Sequence, residues 1–86
     1  MLTKVDYTFL ANEVLPSVEL VQRRKDNLYM ALILGNNYNK VSYLNCHTAE
    51  GIESIEGILF ALTDAFVILK GGLRIPVACI EEVRIY

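Results

Sequence analysis

Short runs of β-type residues, separated by turn signals, fill the second half of the chain. Within these runs apolar and polar residues alternate, which is typical of strands with one buried face. Gly57 lies inside one run, where a glycine favours a sharp bend, and the adjacent Gly71 and Gly72 favour a tight hairpin turn. The pattern predicts five strands at 40–46, 53–62, 66–70, 73–78 and 82–86, with one helical turn at 79–81. Strands this short and bent predict a small antiparallel barrel over residues 40–86.

The first half, residues 1–39, carries less regular patterns. Asp6 is a suitable N-cap for an amphipathic helix over 7–15, which Pro16 would end. Residues 16–35 fit either a helix or a hairpin, because apolar residues alternate on both sides of the block of charged residues that begins at Arg23. Since that block would interrupt the apolar stripe of a helix, the pattern slightly favours the hairpin.

The strand at 73–78 contains Pro76, which has no N–H to donate. That strand is therefore expected at a sheet edge or at a bulge. The last two predicted strands present apolar residues and few charges, so a neighbouring strand could pair with them.

The composition predicts one folded domain spanning residues 1–86. Hydrophobic residues make up 53% of the chain and charged residues 21%, which excludes a disordered or low-complexity protein. A domain of this size buries only about 60–65% of the surface of its unfolded chain, so apolar surface remains and self-association is expected. The formal net charge of −2 argues against the broad basic surface of non-specific duplex binders.

The remaining chemistry is sparse. The first 15 residues lack the apolar core of a secretory signal and no stretch is long enough to span a membrane, which predicts a cytoplasmic protein without a membrane partner. Cys46 and Cys79 are then expected to be reduced, buried thiols. With His47 they are too few for a zinc site, and no nucleophile with a base stands out. We therefore expect no catalytic site, no metal and no cofactor.

Residues 40–86 resemble the Sm/LSm family, including its bacterial Hfq branch. The matching residues, in order along the chain, are Gly57, Asp64, Phe66 and Leu69. The family usually has Asn two places after the position of Phe66, where this chain has Ile68. The resemblance implies a mainly β fold: an N-terminal helix and a small, strongly bent five-stranded antiparallel barrel. Src-homology-3-like barrels share much of this pattern and stay open as an alternative.

The resemblance also implies a homo-oligomeric closed ring, because Sm subunits pair strand four of one copy with strand five of the next. In the family the base pocket lies between two loops, which places Asp64 and Phe66 in it. Lys70 and Arg74 flank the glycine turn, and a ring would repeat these charges at one rim, enough to hold phosphates locally.

Together these features predict a ring-forming, non-catalytic protein that binds single-stranded nucleic acid, with RNA expected rather than DNA. The predicted roles are base contact for Asp64, stacking for Phe66, and phosphate contact for Lys70, Arg74, Arg23 and Arg24. The alternative, ranked second, is a small β-barrel module for protein–protein or assembly contacts without a nucleic-acid role.

Overall fold

The computed structural model describes residues 7–85, and Asp6, the predicted N-cap, lies outside them. Over this range the chain forms one α-helix, a 3₁₀ turn and six strands. In chain order these are α1 (Val18–Tyr38), β1 (Ser42–Thr48), β2 (Gly51–Gly57), β3 (Leu59–Leu62), β4 (Phe66–Leu69), β5 (Arg74–Pro76), the turn η1 (Val77–Cys79) and β6 (Ile80–Ile85). The prediction of a mainly β fold is therefore confirmed.

The strands form two antiparallel sheets of three strands, in the orders β2-β1-β6 and β3-β4-β5. β2 and β3 are separated only by Ile58, so a sharply bent stretch of chain passes from one sheet into the other. The prediction of one strand over 53–62 is wrong in its count, because the bend divides it into two. Within residues 7–85 no ladder joins β5 to β6, and the sheets do not close into a barrel.

The break between the two strands follows Gly57, the predicted bend. A Cβ atom at this position would lie 2.8 Å from Cδ1 of Leu69. Because glycine has no side chain, the chain can pass close to β4 at this bend. The other predicted glycine turn also forms, since Gly71 and Gly72 both have a φ of 99°.

Residues 7–15 do not form the predicted helix. The segment is irregular, and Phe9 forms an antiparallel bridge with Thr48 at the end of β1. The rings of Tyr7 and Phe9 stack with their centroids 5.4 Å apart and pack against the core. A helix this short is marginal in water, whereas pairing with β1 satisfies backbone groups and packs two partly buried aromatic rings against the core.

The hairpin favoured for 16–35 is also wrong, because this region belongs to α1. The side chain of Ser17 caps the helix by accepting a hydrogen bond from the Leu20 N–H at 3.2 Å. Asn39 ends it in the left-handed conformation with a φ of 54°. Hydrogen bonds made by Ser17 and Asn39 thus satisfy backbone groups at the two ends of the helix.

The charged block is compatible with α1 because its one buried residue, Arg24, is neutralised. The Arg24 side chain is only 5% exposed, and each of its terminal nitrogens donates to a Glu13 carboxylate oxygen at 2.6 Å. Nη1 also donates to the Ile80 carbonyl at 3.1 Å. These hydrogen bonds from Arg24 lower the pKa of Glu13, with a smaller contribution from the Leu15 N–H, while burial opposes them. Arg24 therefore lies on the buried face of α1, where its charge is paired with that of Glu13.

The core lies between α1 and the two sheets. Its buried apolar residues are Leu28, Ala31, Leu44, Cys46, Ile55, Leu59, Val67, Leu69, Ile75, Cys79 and Ile80. Gly35 of α1 permits this packing, since a Cβ atom there would lie 2.7 Å from the Leu59 carbonyl oxygen. Cys46 and Cys79 are buried and unlinked, in agreement with the sequence.

Pro76 lies in β5, which is the outer strand of its sheet, so the predicted edge position is confirmed. The helical turn comes two residues earlier than predicted, as η1. No helix within the described range is long and apolar enough to cross a membrane.

Candidate nucleic-acid interface

The outward face of the β3-β4-β5 sheet brings together several of the predicted residues. Along β4, Val67 and Leu69 are buried in the core, so Phe66 and Ile68 point outward. Arg74 is the register partner of Ile68 and shares that outward face. Its guanidinium carbon lies 5.3 Å from the centroid of the Phe66 ring, which is within cation–π range.

Lys70 and Phe60 extend this face. Lys70 Nζ donates to Asn39 Oδ1 at 2.7 Å, so this cation is engaged with the end of α1 while Arg74 is engaged with Phe66. Phe60 is 60% exposed and lines, with Lys70, an open depression of about 490 Å³. We call Phe60, Phe66, Lys70 and Arg74 the outer-sheet patch. It combines two aromatic rings with two cations, a combination that also occurs on surfaces that bind single-stranded nucleic acid.

Asp64 lies apart from the patch, in the turn between β3 and β4. The turn is held by Thr63, whose Oγ1 accepts hydrogen bonds from the Ala65 N–H at 3.2 Å and the Phe66 N–H at 2.9 Å. Asp64 is exposed there and borders a cavity of about 360 Å³ between the turn and α1. That volume is at the lower end of the range for ligand pockets, which is about 300–1,000 Å³.

The helix contributes Lys25 and Tyr29 to the rim of this cavity, and η1 contributes Val77. Tyr29 is 60% exposed, so its ring is available to a planar ligand. The loop that carries Asp64 and the turn that carries Val77 thus meet at one cavity, whereas Phe66, which the resemblance places in the same pocket as Asp64, does not line it.

The two arginines of α1 are separated from the outer-sheet patch. Arg23 is exposed and lines a groove of about 280 Å³ together with Glu81 and Glu82 of β6, whose carboxylates oppose phosphate binding. Arg24 is buried and paired with Glu13, and its Nε has no hydrogen-bond partner. A guanidinium so placed has little to offer an external phosphate, and we leave Arg24 out of the interface.

Phe60 is the member of the patch that the sequence analysis missed. The alternation over 53–62 assigns Ile55 and Leu59 to the inner face, which leaves Phe60 on the outer one. A large aromatic residue on the exposed side of a strand is the signal that could have identified it.

β5 and β6 each have a strand on one side only within residues 7–85. β5 pairs with β4, and β6 pairs with β1. Each strand therefore has a second edge to which no other strand of the described chain is hydrogen-bonded. Such edges are templates for pairing with another chain.

Residues that could hold a metal are dispersed. Over residues 7–85 no group of three or more histidine, cysteine, aspartate or glutamate side chains is arranged to bind an ion. His47 Nε2 lies 2.6 Å from Glu81 Oε1, and both cysteines are buried in the core.

Comparison of the chain with protein-family models, curated proteins and solved structures gives no match. The Sm/LSm likeness therefore stays a prediction from the sequence. What supports a function is the order of the strands, their open edges and the outer-sheet patch.

Proposed function

We propose that this chain is an Sm-like protein that assembles into a closed ring and binds single-stranded nucleic acid, RNA being the expected ligand, without catalysing a reaction. The observation that carries this proposal is the outer-sheet patch, where the Arg74 guanidinium lies over the Phe66 ring beside the exposed Phe60. Aromatic rings stack on bases of any sequence, and neighbouring cations contact the phosphates. In this proposal Phe60 and Phe66 stack on bases, and Lys70 and Arg74 contact the backbone.

The order of the strands supports the ring. If β2 and β3 are counted as one bent strand, five strands follow one another in the order β6, β1, β2 with β3, β4 and β5. β5 and β6 then occupy the two ends of the array, each with an edge that pairs with no other strand within residues 7–85. Pairing β5 of one copy with β6 of the next is a head-to-tail contact, which closes into a ring when the rotation permits. Such pairing would complete the ladders of both edges and join the arrays of successive copies into one continuous sheet around the ring.

The cavity beside Asp64 complements the patch in this proposal. Asp64 accepts hydrogen bonds from a base, while Tyr29 and Lys25 offer a ring and a cation at the same rim. Arg23 contributes only a peripheral phosphate contact, because Glu81 and Glu82 share its groove. Since the net charge is −2, we expect binding to depend on these local cations and to weaken steeply with salt.

Phe66→Leu and Arg74→Ala are each expected to weaken binding of an oligouridylate by about 1–3 kcal/mol, or roughly 5- to 150-fold. Phe66→Leu removes stacking and leaves the salt dependence unchanged. Arg74→Ala removes a phosphate contact and lowers the slope of log affinity against log salt by about one. Fluorescence anisotropy at a series of salt concentrations measures both quantities.

Lys40→Ala is the matched control, because Lys40 is exposed, lies outside the outer-sheet patch and outside β5 and β6, and its loss changes the net charge equally. We expect it to retain binding, with light scattering confirming an unchanged assembly. An equal loss for Lys40→Ala and Arg74→Ala would show that overall charge, not the patch, determines affinity. If neither oligouridylate nor oligoadenylate binds below roughly 100 μM at physiological salt, the nucleic-acid proposal fails.

The second candidate function is an assembly module without a nucleic-acid role. Several large apolar side chains favour it by being exposed on both α1 and the sheets, namely Val18, Tyr29, Met30, Tyr38, Ile52 and Phe60. Where such side chains form one contiguous patch, they commonly mark a protein–protein contact. Ring formation without oligonucleotide binding is the result that would favour this function.

A further inference from the structure

We propose that the cavity beside Asp64 selects guanine among the bases of a bound single strand. This preference rests on the proposed nucleic-acid function and assigns that function a particular base. It follows from which polar groups at the rim of the cavity are unpaired, and from the order of donors and acceptors along the edge of each base.

Two of the polar side chains that line the cavity are already hydrogen-bonded within the protein. Both terminal nitrogens of Arg24 donate to the carboxylate of Glu13. Thr63 Oγ1 accepts from the N–H groups of Ala65 and Phe66 and so fixes the turn between β3 and β4. These two side chains therefore shape the cavity, and their polar atoms are not offered to a ligand.

Asp64 and Lys25 are the charged side chains of the rim that are left for a ligand. Both are exposed, and over residues 7–85 neither side chain has a hydrogen bond or an ion pair to another residue. A carboxylate only accepts hydrogen bonds, and an ammonium group only donates them. Tyr29, 60% exposed at the same rim, adds a ring on which a base can stack. The cavity thus offers two adjacent acceptor oxygens, one cationic donor and a stacking platform.

Guanine is the base whose edge matches this set of groups. Along its Watson–Crick edge the ring N1–H and the exocyclic N2 amino group donate side by side, and the neighbouring O6 accepts. The two oxygens of Asp64 can accept from both N–H groups at once, while Lys25 donates to O6. The base is then read by a bidentate contact and one further hydrogen bond.

The other bases place an acceptor against the carboxylate of Asp64. Uracil has its N3–H between two carbonyl oxygens, whose lone pairs repel a carboxylate. Adenine and cytosine each have an amino group next to a ring nitrogen that carries a lone pair and no proton. Each of these bases can therefore give Asp64 one hydrogen bond along this edge, against two from guanine.

The test measures the binding of labelled oligouridylates that differ at one central base, by fluorescence anisotropy with the full chain at fixed salt. Because both purines stack, adenine is the reference. Guanine is expected to bind about 5- to 30-fold more tightly than adenine, the lower part of the range for a bidentate base contact, since Asp64 is exposed. Inosine, which keeps N1–H and O6 but lacks the N2 amino group, is expected to lose most of this gain.

The outcomes separate this inference from the function on which it rests. Equal affinities for the guanine, adenine and inosine oligonucleotides would overturn the guanine preference and leave strand binding in place. If none of the oligonucleotides binds, the proposed function and the guanine preference both fail.

Asp64→Asn tests the carboxylate with little change in shape, and its exposed position makes a folding defect unexpected. The variant is expected to lose the preference for guanine over adenine. Loss of a negative charge alone would strengthen binding to every strand, so weaker binding of guanine cannot be a charge effect. Glu50→Gln makes the same change of charge in the exposed turn between β1 and β2, outside the cavity, and is expected to keep the preference. A guanine preference that survives in Asp64→Asn would refute the proposal.

Discussion

Gly35→Ala is expected to destabilise the protein by about 2–3 kcal/mol, although alanine at an ordinary helical position stabilises by about 1 kcal/mol over glycine. The reason is the close approach of α1 to β3. A Cβ atom at Gly35 would lie 2.7 Å from the Leu59 carbonyl oxygen and 3.2 Å from Cγ2 of Ile58. Backbone atoms of a buried strand cannot yield locally, so the helix or the sheet must shift. Urea denaturation measures the loss in the free energy of unfolding.

Two alanine variants serve as controls for this result. Asn36→Ala, at an exposed helical position next to Gly35, is expected to be neutral or slightly stabilising. Gly57→Ala is expected to lose only about 1 kcal/mol, because its nearest contact is the end of the Leu69 side chain, 2.8 Å away, which can rotate. If Gly35→Ala were as stable as Asn36→Ala, α1 could not be docked on β3 as described.

Glu13→Gln is expected to destabilise the protein by about 2–3 kcal/mol. The change removes the charge that neutralises Arg24, whose side chain is 5% exposed. Removing one partner of a fully buried ion pair lowers the free energy of unfolding by about 3–5 kcal/mol. The smaller loss is expected here because the Glu13 side chain is 38% exposed. Thermal and urea unfolding measure the difference, with Glu19→Gln as the control for one lost carboxylate on the exposed first turn of α1.

A double variant and the pH dependence test the same ion pair independently. Glu13→Gln with Arg24→Met is expected to recover most of the loss, since no unpaired charge is then buried. The pKa of Glu13 is lowered in the folded state from its usual 4.5, so the pair stabilises the protein above that pH and the contribution is lost as the pH falls through the lower folded value. Wild-type stability should therefore fall more steeply than that of Glu13→Gln below about pH 4.5. Parallel pH profiles would contradict the pairing.

The sequence predicts the second half of the fold well because its signals are local. Apolar alternation, the bend at Gly57 and the edge position of Pro76 each depend on a residue and its near neighbours. The prediction for the first half is wrong because the contacts that determine its structure are made with residues far away along the chain. The partner of Arg24 is Glu13, eleven residues upstream, and no periodicity reveals that a charge in an apolar stripe is neutralised from another segment. Residues 7–15 likewise depend on a bridge to Thr48, far along the chain.

The sequence likewise predicts one part of the candidate site and not the other. Lys70 and Arg74 were expected near each other because they flank the glycine turn. Phe66 was expected beside Asp64, but strand parity places it on one face with Arg74. The basic cluster on α1 was assigned from charge alone, which cannot distinguish an exposed arginine from a buried one. Arg23 and Arg24 are adjacent in sequence, yet one lies at the surface and the other in an ion pair.

The pairing of β5 with β6 of another copy is tested most directly by the mass of the protein in solution. Multi-angle light scattering at tens of micromolar is expected to give one closed species, several times the 9.7 kDa mass of the chain and unchanged on moderate dilution. A closed ring has no free edges, so larger aggregates should not accumulate. A mass of 9.7 kDa throughout that range would contradict the account, because the open edges of β5 and β6 would then have no partner.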